Sequence, residues 1–300
     1  MNQKLAIVLA AFGVARVEAL GGVTNVLERT RARFPGAEVR LAFTSNQIRW
    51  VWRKRAGGGG WAPRNPGTPR EVLEVRGTLA AIACLQDEGY RNIVVQPLHI
   101  YAGEEYQDLL SYVAGLNAIR TVKPKWRPFD RLLVGRPALG APGPAHPYLE
   151  DLERAARALA GDVAEARRLN AALVYVGHGN HLFSTGVYLE LEQVMRRRYS
   201  HPLIWVGAVE GMFGVERVRG ELGRSGVDKV VLRPLMLVAG GHAQDDMCGP
   251  GDESWRGVLR AAGLEVVCRL EGLGENPAWA DIYIEHIVDV LQDHGLEWPA

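Results

Sequence analysis

The chain has 300 residues, of which 47% are hydrophobic and 23% charged, and its formal net charge is +1. This length is typical of two domains of about 150 residues each, and the composition is that of an ordinary globular protein. A charge so close to zero gives no general attraction to nucleic acid or to an anionic membrane, and no segment approaches the roughly 20 apolar residues of a membrane span.

The cysteines and the N-terminus bear on the cellular compartment. Cys84, Cys248 and Cys268 form an odd, sparse set without a C-x-x-C pair, which argues against a disulfide scaffold and is typical of a reducing cytoplasm. Residues 5–15 have the outline of a short signal peptide. The same residues also fit a buried first strand. We favour the strand because 5–13 resembles 171–179, and we predict a cytoplasmic protein.

Short apolar runs alternate with amphipathic stretches throughout the first half, which predicts parallel α/β units. The predicted strands are 4–11, 38–43, 92–97 and 131–134. The predicted helices are 17–33, 69–88 and 104–117. Residues 137–147 are rich in proline and glycine and form the best candidate for a linker. We therefore predict one domain over 1–140 and a second over 141–300.

The second half repeats the pattern. Its predicted strands are 171–177, 203–209, 229–234 and 264–269. Its predicted helices are 148–168, 185–199, 212–224, 252–262 and 277–293. The last helix has apolar residues at helical spacing, so one of its faces can dock on a core. Apolar helix faces of this kind are also compatible with a homo-oligomer.

A near-duplication relates the two halves. Residues 94–108 resemble 231–245, and the matching Pro97 and Pro234 are 137 residues apart. The match fails at one position that matters chemically, because Glu105 in the first copy corresponds to His242 in the second. The chain therefore looks like two copies of one α/β half, with a metal ligand predicted in the second copy only.

Polar residues end three successive strands of the second half. His178, Glu210 and His242 are spaced 32 residues apart, about one βα unit each. The carboxyl ends of neighbouring parallel strands meet at one edge of a sheet, so these side chains can converge. Two imidazoles and a carboxylate can bind Zn, Co, Fe or Ni with positions left open. The alternative is that each histidine is simply a hydrogen-bonded residue at a strand end.

The duplicated half supplies an internal control for this interpretation. Alignment of the halves puts Phe12 opposite His178 and Ser45 opposite Glu210, as it puts Glu105 opposite His242. A requirement of the scaffold would tend to recur in both halves. The confinement of the three residues to one half therefore favours a function.

A run of cations and tryptophans in the first half is the candidate substrate grip. Arg49, Trp52 and Arg53 could hold a flat polycarboxylate, since arginine pairs with carboxylates and aromatic rings supply stacking area. The alternative for this run is a solvated helix face. His99 and Glu105 are further candidates for substrate contacts.

Other residues lie close to the predicted metal ligands. His181 is a candidate partner of the site or an exposed turn residue, and Asp245 and Asp246 can orient His242 or form a helix cap. The sequence contains no G-x-G-x-x-G after the first strand, no Walker loop and no G-x-S-x-G motif, so we expect neither ATP nor another nucleotide.

Three motifs surround the predicted metal ligands: Val-Gly-His-Gly-Asn-His at 176–181, Val-Glu-Gly-Met at 209–212, and Pro-Leu-Met-Leu-Val-Ala-Gly-Gly-His-Ala-Gln-Asp-Asp-Met at 234–247. Together they resemble one known family, the anaerobic-pathway sirohydrochlorin cobaltochelatases. The resemblance covers essentially the whole chain. It implies a class II chelatase, a lyase that works without ATP, with two flavodoxin-like α/β domains and a tetrapyrrole cleft between them.

By this resemblance His178, Glu210 and His242 bind the metal, and His178 is also the proton acceptor. The implied reaction places Co2+ into sirohydrochlorin, with release of two protons, in anaerobic cobalamin biosynthesis. Iron insertion giving sirohaem stays open, because the ligand set suits Fe2+ as well. So does a carrier that binds metal or tetrapyrrole without chemistry; a metal-dependent hydrolase is the weakest alternative. No nucleic-acid or membrane partner is expected.

Overall fold

The computed structural model describes residues 4–58, 60–201 and 203–298, which form two compact units, each built on a four-stranded parallel sheet. Unit 1 comprises 4–17, 23–137 and 283–298, and unit 2 comprises 18–22 and 138–282. The predicted domains differ from these units, because 18–22 groups with the second sheet and 283–298 with the first. Residues 1–3, 59, 202 and 299–300, which the predicted domains also include, lie outside the described residues.

The first sheet has the strand order β2-β1-β3-β4. Its strands are β1 (Leu5–Ala11), β2 (Glu38–Phe43), β3 (Asn92–Pro97) and β4 (Arg131–Val134). The accompanying helices are α1 (Gly21–Arg33), α2 (Asn46–Gly57), α3 (Trp61–Arg64), α4 (Arg70–Leu73), α5 (Thr78–Asp87) and α6 (Glu104–Asn117). Strand β1 is buried along its whole length, as its unbroken apolar run predicts for a central parallel strand.

The second sheet repeats that order as β6-β5-β7-β8. Its strands are β5 (Ala172–Asn180), β6 (Ile204–Gly211), β7 (Lys229–Leu235) and β8 (Glu265–Cys268). The helices in this part of the chain are α7 (Tyr148–Ala158), α8 (Ala160–Arg168), α9 (Gly186–Tyr199), α10 (Val215–Ser225), α11 (Trp255–Ala261) and α12 (Pro277–Asp293). A short π-helix, His242–Met247, follows β7.

The strand registers of the two sheets agree with the predicted duplication. Ala10 pairs with Pro97 in the first sheet, and Val176 pairs with Pro234 in the second. Two residues further along β1 and β5, Phe12 therefore occupies the place that His178 holds in unit 2. The predicted α/β class with parallel sheets is confirmed, and the order with a central first strand is the flavodoxin-like one.

The helices predicted over 69–88 and 148–168 are interrupted, and α2 and α3 are not among the predicted helices. The helix predicted over 69–88 breaks between α4 and α5, because the carbonyl of Arg76 accepts from Phe43 N at 3.0 Å and forms a bridge beside β2. The helix predicted over 148–168 is interrupted at Leu159, which ends α7 and precedes α8. Helix α2 covers a run for which the sequence left open a substrate grip or a helix face.

The cysteines also differ from expectation. Cys248 and Cys268 form a disulfide, while Cys84 is free. The bond joins the residue after the π-helix to the last residue of β8. The odd, sparse set of cysteines argued against a disulfide scaffold, but the return of β8 to the sheet brings two of the thiols together. The cysteine content therefore no longer supports a reducing compartment.

The core of unit 2 packs around β5, β6 and β7. Its buried side chains include Trp205, Trp255 and Leu259, and the π-helix contributes Ala243 and Met247. The π-helix is thereby anchored to the sheet on one side. Among the helices in the described part of the chain, none is both long and apolar enough to cross a bilayer.

Candidate metal site in unit 2

The ends of β5 and β6 bring His178 and Glu210 together. Gly179 on β5 is in register with Glu210 on β6. Gly179 has a φ of +85°, and a Cβ at this position would lie 1.9 Å from the Glu210 carbonyl oxygen. Only glycine fits both the left-handed conformation and the close approach. The backbone therefore fixes the spacing between the residues that carry the two functional side chains.

The π-helix supplies the third residue, His242. Ala243 and Met247 point into the core of unit 2, and His242 and Asp246 are much more exposed. The bond from Cys248 N to Ala243 O, at 3.1 Å, has the i to i+5 spacing of a π turn. Single π turns often occur at functional sites, where the wider turn re-aims a side chain.

The predicted triad converges. The rings of His178 and His242 meet edge to face, with centroids 4.5 Å apart and an angle of 86° between their planes. Glu210 Oε2 lies 4.0 Å from His178 Nδ1. Residues 64 positions apart in the sequence thus place two imidazoles and a carboxylate within one small region of unit 2.

Hydrogen bonds indicate which ring nitrogen each histidine presents. His178 Nδ1 lies 3.1 Å from the Gly179 carbonyl oxygen, and His242 Nδ1 lies 2.6 Å from Asp246 Oδ2. Carbonyl and carboxylate oxygens accept, so we assign the ring proton to Nδ1 in both cases. Each Nε2 then carries the lone pair that a metal ion or a proton requires.

The three side chains are not arranged as a complete metal-coordination site. Across the described ranges 4–58, 60–201 and 203–298, no three His, Cys, Asp or Glu side chains stand ready to hold a metal ion. Glu210 approaches His178 on the Nδ1 side, whereas the assigned lone pair is on Nε2. A three-ligand complex therefore requires side-chain rotation. The side chains of His178 and Glu210 are 45% and 39% exposed, which leaves room for it.

His181 lies on the other side of the carboxylate. Its Nε2 is 3.9 Å from Glu210 Oε2, and its side chain is 72% exposed. The turn that carries it is held by Asn180, whose Oδ1 accepts from Leu182 N at 2.6 Å and from Phe183 N at 2.8 Å. Of the two roles that the sequence left open, the geometry favours a partner of the site.

The three residues of α2 that were predicted to bind substrate lie in different environments. Trp52 is fully buried in unit 1, and its Nε1 donates to the Val14 carbonyl at 2.8 Å. Arg49 donates to backbone carbonyls, including that of Thr44 at 2.7 Å. Trp52 therefore packs in the core rather than stacking on a ligand, and Arg49 fastens α2 to the end of β2. Arg53 is exposed and lines a shallow pocket of about 350 Å³.

His99 and Glu105, the other candidates, also lie in unit 1. Both ring nitrogens of His99 are out of contact with solvent and lack a hydrogen-bond partner, although the residue as a whole is only half-buried. Burial lowers the pKa of this imidazole to about 4. Glu105 lies in the first turn of α6, where its Oε2 accepts from Thr44 Oγ1 at 2.7 Å. Their contact with substrate stays a prediction.

Sequence reasoning did not single out Asp246 as the partner of His242. It treated Asp245 and Asp246 alike, with roles as orienting residue or cap left open. The discriminating signal is the spacing, because residues four apart lie side by side on one face of a helical turn. Asp246, and not Asp245, has that relation to His242.

The sequence of this chain matches one protein family and two curated relatives along nearly its whole length. The family model described as cobalt chelatase (CbiK) matches residues 5–292. A sirohydrochlorin cobaltochelatase, CbiKC, from Nitratidesulfovibrio vulgaris is 33% identical over 97% of this chain and 93% of its own length. A sirohydrochlorin cobaltochelatase from Salmonella typhimurium is 29% identical over 96% of this chain and 97% of its own length.

Solved structures support the fold. SirB from Bacillus subtilis, determined with Fe3+, covers 97% of this chain and 98% of its own with a TM-score of 0.60 and 13% sequence identity. A second SirB structure, from Bacillus subtilis subspecies spizizenii in complex with cobalt, has a TM-score of 0.57. At this identity the likeness concerns the arrangement of strands and helices.

Proposed function

This chain belongs to the CbiK family of cobalt chelatases, and we propose that its reaction is the insertion of Co2+ into sirohydrochlorin. Membership follows from the match over residues 5–292. The tetrapyrrole is the one named for both curated relatives, each of which aligns along nearly its full length. The product would be cobalt-sirohydrochlorin, an intermediate of anaerobic cobalamin biosynthesis.

One observation carries the assignment of the site. His178 near the end of β5, Glu210 near the end of β6 and His242 on the π-helix lie together in unit 2, with imidazole centroids 4.5 Å apart and the carboxylate 4.0 Å from His178. We propose these three as the residues that hold Co2+. Such a set leaves coordination positions open, and the nitrogens of a macrocycle can occupy them.

His178 is our candidate for the proton acceptor. Insertion of a divalent ion into a free-base tetrapyrrole breaks two pyrrole N–H bonds and releases two protons. As the ion exchanges its bond to His178 for bonds to ring nitrogens, the Nε2 lone pair becomes available to a proton. A neutral imidazole suits this task, since histidine is the usual side chain for proton transfer near neutral pH. Half-exposed, the ring can pass the proton to water.

Glu210 and Asp246 supply negative charge around the ion. Glu210 balances the charge of the metal, and Asp246 holds His242 with Nε2 free to ligate. We propose that the reaction needs no ATP, because formation of four metal–nitrogen bonds drives it. The absence of a Walker loop from the sequence supports that view.

A cytoplasmic location is also part of the proposal. Within the segment 5–15, which has the outline of a signal peptide, residues Leu5–Ala11 form β1, a fully buried strand that pairs with β2 and β3. The residues are therefore needed for the first sheet. This burial supports our interpretation of the segment as part of the folded chain.

An anaerobic absorbance assay tests the proposed function. The purified protein is mixed, without ATP, with sirohydrochlorin and either Co2+ or Fe2+. A reaction without enzyme and one with the His178→Ala variant run beside it. We expect enzyme-dependent conversion with Co2+ that the variant loses. Faster conversion with Fe2+ would contradict the choice of metal, and tight tetrapyrrole binding without acceleration would indicate a carrier.

A further inference from the structure

One carboxylate oxygen in unit 2 lies between two imidazoles. Glu210 Oε2 is 4.0 Å from His178 Nδ1 and 3.9 Å from His181 Nε2. The two histidines differ in exposure, because the side chain of His178 is 45% exposed and that of His181 is 72% exposed. The three groups therefore form a series from His178 through Glu210 to the more exposed His181, and the carboxylate is close to both imidazoles.

The position of His181 is set by the fold. Asn180 is the last residue of β5, and its side-chain oxygen accepts from the backbone of both Leu182 and Phe183. This Asx-type turn fixes the backbone on either side of His181. The imidazole is thus presented beside the carboxylate by a constrained turn.

The distance suits a pair of metal ligands. With metal–nitrogen and metal–oxygen bonds of about 2.0–2.1 Å in tetrahedral geometry, the two donor atoms stand roughly 3.3 Å apart. His181 Nε2 and Glu210 Oε2 are 3.9 Å apart, so a small rotation of either side chain brings them to that separation. As a simple surface ion pair the same contact would add little to stability, because both groups are screened by solvent.

We propose that His181 and Glu210 form an outer metal-binding pair, at which hydrated Co2+ is captured before it passes to His178 and His242. Glu210 keeps its bond to the ion during the transfer, while His178 and His242 take the places of His181 and one bound water. The ion stays divalent, and the only groups displaced are water and His181. This inference rests on the proposed function, and it adds a ligand that lies outside the predicted triad.

Metal binding without tetrapyrrole gives the first test. The wild type, His178→Ala, His181→Ala and the double variant are titrated anaerobically with Co2+, and the visible absorption of the bound ion is followed. We expect His178→Ala to retain weak binding that the double variant loses. Equal binding by His178→Ala and the double variant would overturn the proposal. Because no sirohydrochlorin is present, this result does not depend on whether the protein catalyses insertion.

Insertion kinetics give the second test. We expect His181→Ala to raise the Co2+ concentration at half-maximal rate by about tenfold. Its kcat at saturating Co2+ should stay within about twofold of the wild type, since capture precedes the chemical step. His181→Asp, which restores a ligand, should recover much of the loss. His294→Ala removes an exposed histidine of unit 1 and serves as control. An unchanged KM for Co2+, or a fall in kcat equal to that of His178→Ala, would refute an outer pair.

Discussion

His242 and Asp246 stand one π-helical turn apart, with Nδ1 of the imidazole 2.6 Å from Oδ2 of the carboxylate. The contact fixes the orientation of the ring and directs Nε2 away from the helix. The opposite side of the same turn is anchored in the core through Ala243 and Met247. The ring of His242, which we propose as a metal ligand, is therefore positioned by the packing of its turn and by a charge-assisted hydrogen bond.

The variant Asp246→Asn tests this support. The amide keeps the shape of the side chain but loses its charge, so we expect Co2+ affinity and kcat/KM for insertion to fall about 10–100-fold. Asp245→Asn, on the same π-helix, is the matched control and should stay close to the wild type. Equal effects of the two variants would show that the general charge of the segment matters and the bond does not.

Removal of the proposed base should separate catalysis from folding. We expect His178→Ala to lower the insertion rate by about 10²–10⁴-fold, the range attributed to general acid–base catalysis. The side chain is 45% exposed, so the free energy of unfolding should change by less than about 0.5 kcal/mol. Urea denaturation and the anaerobic assay, performed on one preparation, measure both quantities. Retained turnover would remove His178 from the mechanism.

Substitution of the two tryptophans of α2 tests whether Trp52 is a core residue or a substrate contact. Trp52 is fully buried and Trp50 is 62% exposed. We expect Trp52→Ala to cost about 3–5 kcal/mol of unfolding free energy, through lost burial and the cavity left behind. Trp50→Ala should cost little. Denaturation curves of the two variants make the comparison. A stable Trp52→Ala protein with weakened sirohydrochlorin binding would restore the original substrate-contact interpretation.

His99 should make stability depend on pH. Its pKa is lowered to about 4 in the folded protein, while the unfolded chain titrates near 6.5. The unfolded state therefore binds the proton first, and stability is lost as pH falls from about 6.5 towards 4, by up to about 3 kcal/mol. Denaturation of wild type and His99→Asn at a series of pH values tests this. We expect a shallower loss in the variant, with His294→Asn as control, and parallel curves would contradict it.

The disulfide should stabilise unit 2 measurably. Cys248 and Cys268 are separated by 20 residues, and closure of a loop of that length contributes about 3 kcal/mol by restricting the unfolded chain. We expect Cys268→Ser, or reduction, to lower the unfolding free energy by about that amount. Cys84→Ser should not, since that thiol is free. Protein that is isolated with blocked thiols and shows three modified cysteines would indicate that the bond does not form in the cell.

Most of the fold was predictable because buried parallel strands have unbroken runs of apolar residues in the sequence. The strands β2, β3 and β4 agree with the predicted 38–43, 92–97 and 131–134. His178 and Glu210 were predictable for the same reason, since a polar residue at the end of such a run must lie at the sheet edge. The strands that carry them, β5 and β6, end slightly later than predicted, at Asn180 and Gly211.

Features that depend on tertiary contacts were less accessible. A single π turn at His242 is stabilised by packing of its apolar side, which no local pattern reveals. The break after α4 likewise depends on pairing beside β2. The burial of one tryptophan in α2 was accessible from the sequence. Residues two apart lie on nearly opposite sides of a helix, so Trp50 and Trp52 cannot both face a ligand.

The open arrangement of the triad has a consequence for metal choice. Half-exposed side chains without a closed cage impose little restriction on ionic size, and imidazole and carboxylate ligands accept nickel and zinc as readily as cobalt. On our assignment of the triad as the metal site, the composition of the free metal pool that reaches the protein then contributes to the choice of ion. We therefore expect a cell that uses this chain for cobalt insertion to keep competing divalent ions scarce while the macrocycle is being filled.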